Sequence, residues 1–205
     1  EVIDVCSNEE VASETAQKLI AQAKAARAWS YMNAAFVWGP MYNPASANDT
    51  KAFPYRKSSD PTVNEDLNTT AQIMENLKKD LEEALAGAPD NVLNPSRASK
   101  AAVYALLAQY YMYQRDWQKM YDNANYSWNA SLAVKGAVGN MLYNYNDFQY
   151  IPESVTVPEG QDPETMMSIG YFPAGVYTPG DNFNKSYSKE NLFYRVGTDS
   201  SGQDY

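Results

Sequence analysis

Tyrosine, asparagine and aspartate side chains in loops are the residues of this chain best suited to binding chemistry. The chain has 17 Tyr and 4 Trp, and each such ring offers a flat apolar face with a polar edge. Carboxamide and carboxylate neighbours can bond the hydroxyl groups of a ligand. We therefore predict ligand contact in two loops, through Tyr42 and Tyr55 in the first and through Tyr177, Asp181, Asn182 and Phe183 in the second.

The composition excludes several kinds of catalytic and metal site. The sequence has no His and one Cys, which removes Ser-His-Asp and Cys-His catalysis and the usual zinc sites. A glycoside hydrolase needs only two carboxylates, about 5–9 Å apart, and with 25 acidic residues it stays an alternative. No acidic pair stands in a distinctive setting, so we predict a protein that is not an enzyme and has no cofactor or metal.

The charge and the apolar pattern limit the partners. A net charge of −9 argues against nucleic acid, which requires a basic surface. No apolar run approaches the roughly 20 residues that cross a membrane. The first residues lack the basic start and apolar core of a signal peptide, and Cys6 is not preceded by the pattern of a lipoprotein signal.

Four helices are predicted from apolar residues spaced three and four apart and from helix-ending Gly and Pro residues. They form two antiparallel hairpins, the first pairing Glu9–Val37 with Thr62–Ala86 and the second pairing Pro95–Gln114 with Asp116–Ser131. The segment from Met41 to Pro61 is predicted to be a loop, because Pro, Asn, Ser and Asp dominate it. The charged run KKDLEEAL in the second helix is predicted to face solvent.

Helix starts are predicted from capping patterns. Ser7 with Glu10, and Thr62 with Glu65, have the spacing of a capping box. Pro95 suits the first position of the third helix, where its missing N–H costs nothing.

The stretch from Ser96 to Leu132 has the spacing of one tetratricopeptide unit. Arg115 stands in its turn, where Gly is usual, and Asp116 is predicted to cap the next helix. An ordinary helical hairpin is the alternative. The tyrosines of the third helix, Tyr104 and Tyr111, are predicted to pack inside. The inward positions predicted for the fourth helix are Trp117, Met120, Tyr121, Ala124 and Trp128.

The predicted fold class is mainly α, with tetratricopeptide-like helical hairpins followed by a loop-rich segment with short strands. Residues 1–133 form the helical core, and residues 134–205 form the loop-rich segment that packs on it within the same domain. ETMMSIGYF is predicted to be one buried strand.

Motifs along the chain resemble the SusD/RagB family of outer-membrane nutrient-binding lipoproteins. The resemblance starts with Arg27-Ala28 in AKAARAWSYMNAAFVWGPMY and continues with DLEEAL from Asp80. The next matching stretch, in the family's order, is SRASKAAVYALLAQYYMYQRDWQKM, which includes Asp116-Trp117. Further on, PETMMSIGYF is similar to a strand of the family. The resemblance covers most of the chain, but the family's ligand contacts vary, so none is transferred by motif.

The resemblance implies an α-α superhelix of the SusD type and a non-catalytic protein that binds oligosaccharide or polysaccharide. It implies a SusC-like TonB-dependent transporter as partner in nutrient uptake. It also implies a surface-exposed position on the outer membrane, through a lipid anchor outside this sequence. Besides the glycoside hydrolase, two alternatives remain at this point: capture of peptides by a member of the same family, and a helical-repeat adaptor that binds a protein tail on its concave face.

Overall fold

The computed structural model describes residues 2–7 and 13–142, the residues Glu190, Leu192 and Phe193, and the backbones of 149–151 and 175–177. Within this part the chain forms five α-helices and one pair of strands. The elements are α1 (Val2–Ser7), α2 (Glu14–Trp38), α3 (Thr70–Gly87), α4 (Lys100–Tyr113), α5 (Trp117–Lys135), β1 (Gln149–Ile151) and β2 (Gly175–Tyr177).

The helices pack as two antiparallel hairpins, as predicted. The largest interfaces are those of α2 with α3 and of α4 with α5, and α3 joins the two hairpins by packing on α4. The short helix α1 lies on α2. The mainly α fold class is therefore confirmed, and the division into parts at residue 133 stays a prediction.

The strands β1 and β2 pair antiparallel, with Tyr150 opposite Val176. The segment around Tyr177 was predicted to be loop, and that prediction is wrong for the backbone of β2. The strand predicted in residues 164–172 lies outside the described residues.

Three of the four helices begin later than predicted. Their N-caps are Ser13, Thr69 and Ser99, and each side chain accepts a hydrogen bond from the backbone N–H three residues ahead. Thr69 and Gln72 complete a reciprocal capping box. The predicted start of the fourth helix is confirmed, because Asp116 caps α5.

The two predicted capping boxes are wrong, because Ser7 and Thr62 each belong to another local structure. Ser7 is the last residue of α1. Thr62 donates its backbone N–H and its hydroxyl to one carboxylate oxygen of Asp60, at 2.8 and 2.7 Å, within a loop turn. Pro95 precedes α4 instead of opening it. Short capping patterns are common enough in loops that spacing alone does not select the true start.

The core lies between α2, α3 and α4. Its largest fully buried side chains are Met32, Ile73, Leu77, Leu81 and Val103. Fully buried Ala25 and Ala28 on α2 add small side chains to this core. Leu192 and Phe193 pack against the same core, although they are far away in sequence.

The inward face predicted for α5 is wrong. Trp117, Tyr121 and Trp128 are exposed, while Ser127 and Ser131 on another face are buried against α4. The Ser127 hydroxyl donates to the carbonyl oxygen of Ala101 at 2.8 Å. The small Ser127 side chain thus faces α4, and the rings of Trp117, Tyr121 and Trp128 are left exposed.

We expect Leu107→Ala to lower the free energy of unfolding by about 2–5 kcal/mol, because it empties a packed position between α4 and its neighbours. Leu107 is 4% exposed, whereas Leu67, in the loop before α3, is 50% exposed. The matched control Leu67→Ala is therefore expected to change stability by less than about 1 kcal/mol. Urea denaturation of both variants measures this, and equal losses would contradict the packing described.

Candidate functional site

Two chain segments meet at one end of the helix pairs, which we call the loop end (residues 36–43 and 112–117). α2 and α4 finish there, and the rings of Phe36 and Tyr113 pack with centroids 4.7 Å apart. The Tyr113 hydroxyl donates to the carbonyl oxygen of Pro40 at 3.1 Å. Turns to α3 and α5 leave from the same place.

Large apolar side chains are exposed at the loop end. Trp38 is 77% exposed, Met41 is 76% exposed and Trp117 is 60% exposed. Val37 and Met112 are also exposed. Several large apolar side chains exposed at one end of a folded domain favour a binding site there.

The sequence fixes Trp38 in this exposed position through the residues that end α2. The backbone N–H of Gly39 donates to the carbonyl oxygen of Ala35 at 3.1 Å. A Cβ atom at Gly39 would lie 2.6 Å from that oxygen, so a larger residue would force the backbone to move. Pro40 follows, and the helix cannot continue. Trp38 is thus the last helical residue, with its indole beyond the core.

Arg115 connects the turn between α4 and α5 to the loop that leaves α2. Its φ angle is 61°, a left-handed conformation that costs a non-glycine residue roughly 1–2 kcal/mol. Its Nη2 lies 3.7 Å from the sulfur of Met41. A cation is therefore held beside exposed Met41, at the turn that leads to Trp117.

Tyr42 lies at the loop end but is half-buried. Its backbone N–H donates to the Tyr113 hydroxyl at 3.3 Å, and the two ring centroids are 6.4 Å apart. Beyond it, the carboxamide of Asn48 bonds the backbone N–H and carbonyl of Asn43 at 2.9 and 2.8 Å. The predicted ligand residue Tyr42 is thus positioned by a closed, internally bonded loop.

Tyr55 was expected to be exposed on its loop, and this expectation is wrong. The residue is 2% exposed, and its hydroxyl donates to Oδ2 of Asp80 at 2.7 Å. The ring of Tyr31 stacks on it at 4.2 Å. Tyr55 therefore holds the loop to the helices, and direct ligand contact through its ring is not possible in this arrangement.

Asp80 accepts further hydrogen bonds from Arg27, so that the three side chains form one cluster. Nε and Nη2 of Arg27 donate to the two carboxylate oxygens, both at 2.7 Å. Asp80 lies in the charged run predicted to face solvent, and for this residue the prediction is wrong because Arg27 and Tyr55 compensate its burial.

Ionisation in this cluster is fixed by burial and by the Asp80 charge. Burial raises the pKa of Tyr55 far above its ordinary value, and the neighbouring carboxylate raises it further. Burial opposes the charge on Arg27, but the hydrogen bond and the attraction to Asp80 outweigh it and raise the pKa of Arg27. Tyr55 therefore remains a hydrogen-bond donor, and Arg27 remains charged.

The second predicted loop cannot be compared with the first. Tyr177 lies in β2, of which the structure describes the backbone. Asp181, Asn182 and Phe183 lie outside the described residues. Ligand contact by these four residues stays a prediction.

The described residues contain no group of three or more Cys, Asp or Glu side chains placed to hold a metal ion. Of the helices described, none is long and apolar enough to cross a membrane. The chemistry that the loop end supports is ring stacking and hydrogen bonding.

Comparison with known proteins identifies the family. A family model named SusD-like and described as starch-binding and associating with the outer membrane matches residues 1–112. This chain belongs to that SusD-like family, as the sequence motifs indicated. No curated protein matches the sequence.

Solved structures share the fold. A SusD superfamily protein from Bacteroides thetaiotaomicron is 25% identical, with a TM-score of 0.57 over 71% of this chain and 31% of that protein. A SusD superfamily protein from Bacteroides vulgatus is 24% identical, with a TM-score of 0.58 over 68% and 30%. A SusD-like carbohydrate binding protein from Bacteroides vulgatus is 19% identical, with a TM-score of 0.54 over 66% and 28%. The chain thus spans less than a third of the length of these proteins.

Trp38 and Trp117 were not among the predicted ligand residues. The signal for Trp38 was its place immediately before Gly39-Pro40, because a ring at the last turn of a helix has fewer neighbours to cover it. Trp117 was assigned to the core by its place in the repeat pattern, which says nothing about which face is covered.

We expect Tyr55→Phe to lower the free energy of unfolding near neutral pH by about 1.5–3 kcal/mol, because a hydrogen bond to a buried carboxylate is lost. The raised pKa of folded Tyr55 also makes wild-type stability fall as pH rises above about 10, where the unfolded tyrosine ionises first. The variant should lose stability less steeply in that range. Parallel curves of unfolding free energy against pH would refute this assignment.

Proposed function

We propose that this chain is the helical part of a non-catalytic protein that captures oligosaccharides at the cell surface. The observation that carries the proposal is the exposed Trp38, fixed at the loop end of a fold that belongs to the SusD-like family. An indole face can stack on the apolar C–H face of a sugar ring, and it binds without needing a charged or metal partner.

Polar groups at the loop end support the same ligand class. Arg115 offers N–H donors, and the Asn43 side chain lies on the same loop surface. Tyr42 adds the partly exposed edge of a ring. Sugars present both hydroxyl groups and C–H faces, so a protein surface that combines aromatic rings with fixed polar groups suits them.

The proposal extends to the partner and the location that the family implies. These are a SusC-like TonB-dependent transporter and a surface-exposed position on the outer membrane. The description of the matching family, starch-binding and associating with the outer membrane, supports the location. Tyr177, Asp181, Asn182 and Phe183 remain proposed contacts from the loop-rich segment.

Peptide capture and protein-tail binding are the competing functions. A peptide-binding member of the family would use the same exposed rings, whereas an adaptor would bind through the helices and leave the loop end free. Incubation with plant, host and microbial glycans, measured for both binding and released sugar, separates these functions. Binding without released sugar supports the proposal, and enzyme-dependent release would refute the non-catalytic part of it.

We expect Trp38→Ala to weaken binding of the best glycan about tenfold, the loss of roughly 1.4 kcal/mol of stacking. The melting temperature should stay the same, because the indole is largely outside the core. Titration calorimetry and thermal denaturation measure the two quantities.

Trp128→Ala provides the matched control for this variant. Trp128 is also exposed on the surface, but it lies on α5 roughly 16 Å from Trp117 along the helix axis. Its removal should leave glycan affinity unchanged. Equal affinities of wild type and Trp38→Ala would contradict the proposed site.

A further inference from the structure

A concave surface lies where the loop between α2 and α3 passes α1, and we call it the α1 groove. Its volume is about 460 Å³. Val2 and Ile3 of α1 line one side, Arg27 and its α2 neighbours line the floor, and loop residues 56–59 line the other side. Pockets of roughly 300–1,000 Å³ hold small ligands, so this groove can take one or two sugar rings.

The charged side chains that line the α1 groove are all cationic. Arg27, Arg56 and Lys57 all line it, although the chain as a whole has a net charge of −9. A local cluster of cations on an acidic protein favours an anionic ligand, because the remaining surface repels it and this place attracts it.

The charges of Arg56 and Lys57 are not matched by an ion pair among the described residues. Nη2 of Arg56 donates to the backbone carbonyl oxygens of Asp60 at 2.7 Å and of Val63 at 3.4 Å. The carbonyl groups hold the guanidinium in place, and the nearby Asp60 carboxylate attracts it without forming a salt bridge. Lys57 is exposed, and within the described part of the chain its ammonium group makes no salt bridge, whereas Arg27 is paired with Asp80.

The loop that carries these cations is already ordered. The backbone N–H of Arg56 donates to the Tyr31 hydroxyl at 2.9 Å, and that of Lys57 donates to a Glu65 carboxylate oxygen at 3.1 Å. The backbone N–H of Asp60 donates to the Ser58 hydroxyl at 3.1 Å. A preformed site does not lose loop entropy when its ligand binds.

Three carboxylates lie beside the α1 groove without lining it, those of Asp4, Asp60 and Glu65. The Ser59 hydroxyl donates to a carboxylate oxygen of Asp4 at 3.2 Å. This carboxylate opposes an anion in the groove, and its removal therefore has an effect of the opposite sign from removal of a cation.

We propose that the α1 groove binds an anionic sugar unit of the captured glycan, through a uronate carboxylate or a sulfate ester. Arg56 and Lys57 take the anionic group. The Ser58 hydroxyl donates to a sugar oxygen, and the Ser59 hydroxyl, which donates to Asp4, accepts from a sugar hydroxyl. The apolar side chains of Val2 and Ile3 cover a C–H face. This inference rests on the proposed glycan-binding function and makes the ligand class an acidic glycan.

The test compares three oligosaccharides of similar length by titration calorimetry. Oligogalacturonate carries carboxylates, a κ-carrageenan oligosaccharide carries sulfate esters, and a maltooligosaccharide is neutral. Wild type should bind at least one anionic probe more tightly than the neutral probe, and which of the two it prefers identifies the anionic group. The preference should shrink as salt rises.

Variants of single exposed charges assign the effect to the groove. Lys57→Gln should weaken binding of the preferred anionic probe about three- to tenfold and leave affinity for the neutral probe unchanged. Asp4→Asn should strengthen binding of the anionic probe. The matched control Lys78→Gln, an exposed lysine of α3, should change neither. Unfolding midpoints of all three variants are measured alongside.

The outcomes separate this proposal from the proposed function. Binding of the neutral probe without preference for either anionic probe overturns the α1 groove and leaves glycan capture standing. Equal losses in Lys57→Gln and Lys78→Gln also overturn the groove. Loss of anionic binding in Lys57→Gln but not in Trp38→Ala supports the groove and contradicts the loop end. Failure of all three probes and of the glycan panel overturns both.

Discussion

The buried carboxylate of Asp80 holds together three parts of the chain that are distant in sequence. Arg27 from α2 and Tyr55 from the loop both donate to this group on α3, with all three hydrogen bonds at 2.7 Å. A buried pair of this kind adds little net stability, but removal of one partner costs about 3–5 kcal/mol, because the other charge is left uncompensated. Its main effect here is to select one path for the loop over the helices.

That path produces both surfaces on which binding is proposed. The loop leaves α2 at Gly39 and exposes the loop end before it returns over the helices to Tyr55. Arg56 and Lys57 follow directly and reach the α1 groove. From there the chain comes back to the start of α3, where Thr69 forms an antiparallel bridge with Lys51 from the earlier part of the same loop. The buried cluster thus positions the part of the loop that carries Arg56 and Lys57, and the same loop begins at the loop end, directly after Trp38 of α2.

The sequence predicted the helices well and the faces of the helices less well. Apolar spacing identified both hairpins, because it records burial along an element regardless of the partner. It failed for α5, where serines at positions 127 and 131 have the same helical spacing as the aromatic stripe. When a helix has small residues on one side and aromatic rings on another, apolar spacing does not predict which side packs against the neighbouring helix.

Tyr55 and Asp80 show how far the candidate site could be predicted from the sequence. A tyrosine in a Pro-rich loop and an aspartate in a charged helix both favour exposure when each is considered alone. Their burial follows from their contact with each other and with Arg27 across 25 and 53 positions of sequence. Local spacing carries no signal for such a contact. The exposure of Trp38 could have been predicted from Gly39-Pro40, which follows it. The turn at Arg115 could have been predicted because Arg115 stands where a glycine is usual.

Amide hydrogen exchange in Asp80→Asn tests most directly whether this carboxylate fixes the loop. The reporting amides are those of Ala52, Tyr55 and Arg56, which donate to Asn68 and Tyr31 groups at 2.7–2.9 Å. We predict that their protection falls at least tenfold more than that of the α4 amides around Leu107, a difference of roughly 1.4 kcal/mol. Equal losses in the two groups, or a loop that keeps its protection, would contradict the account.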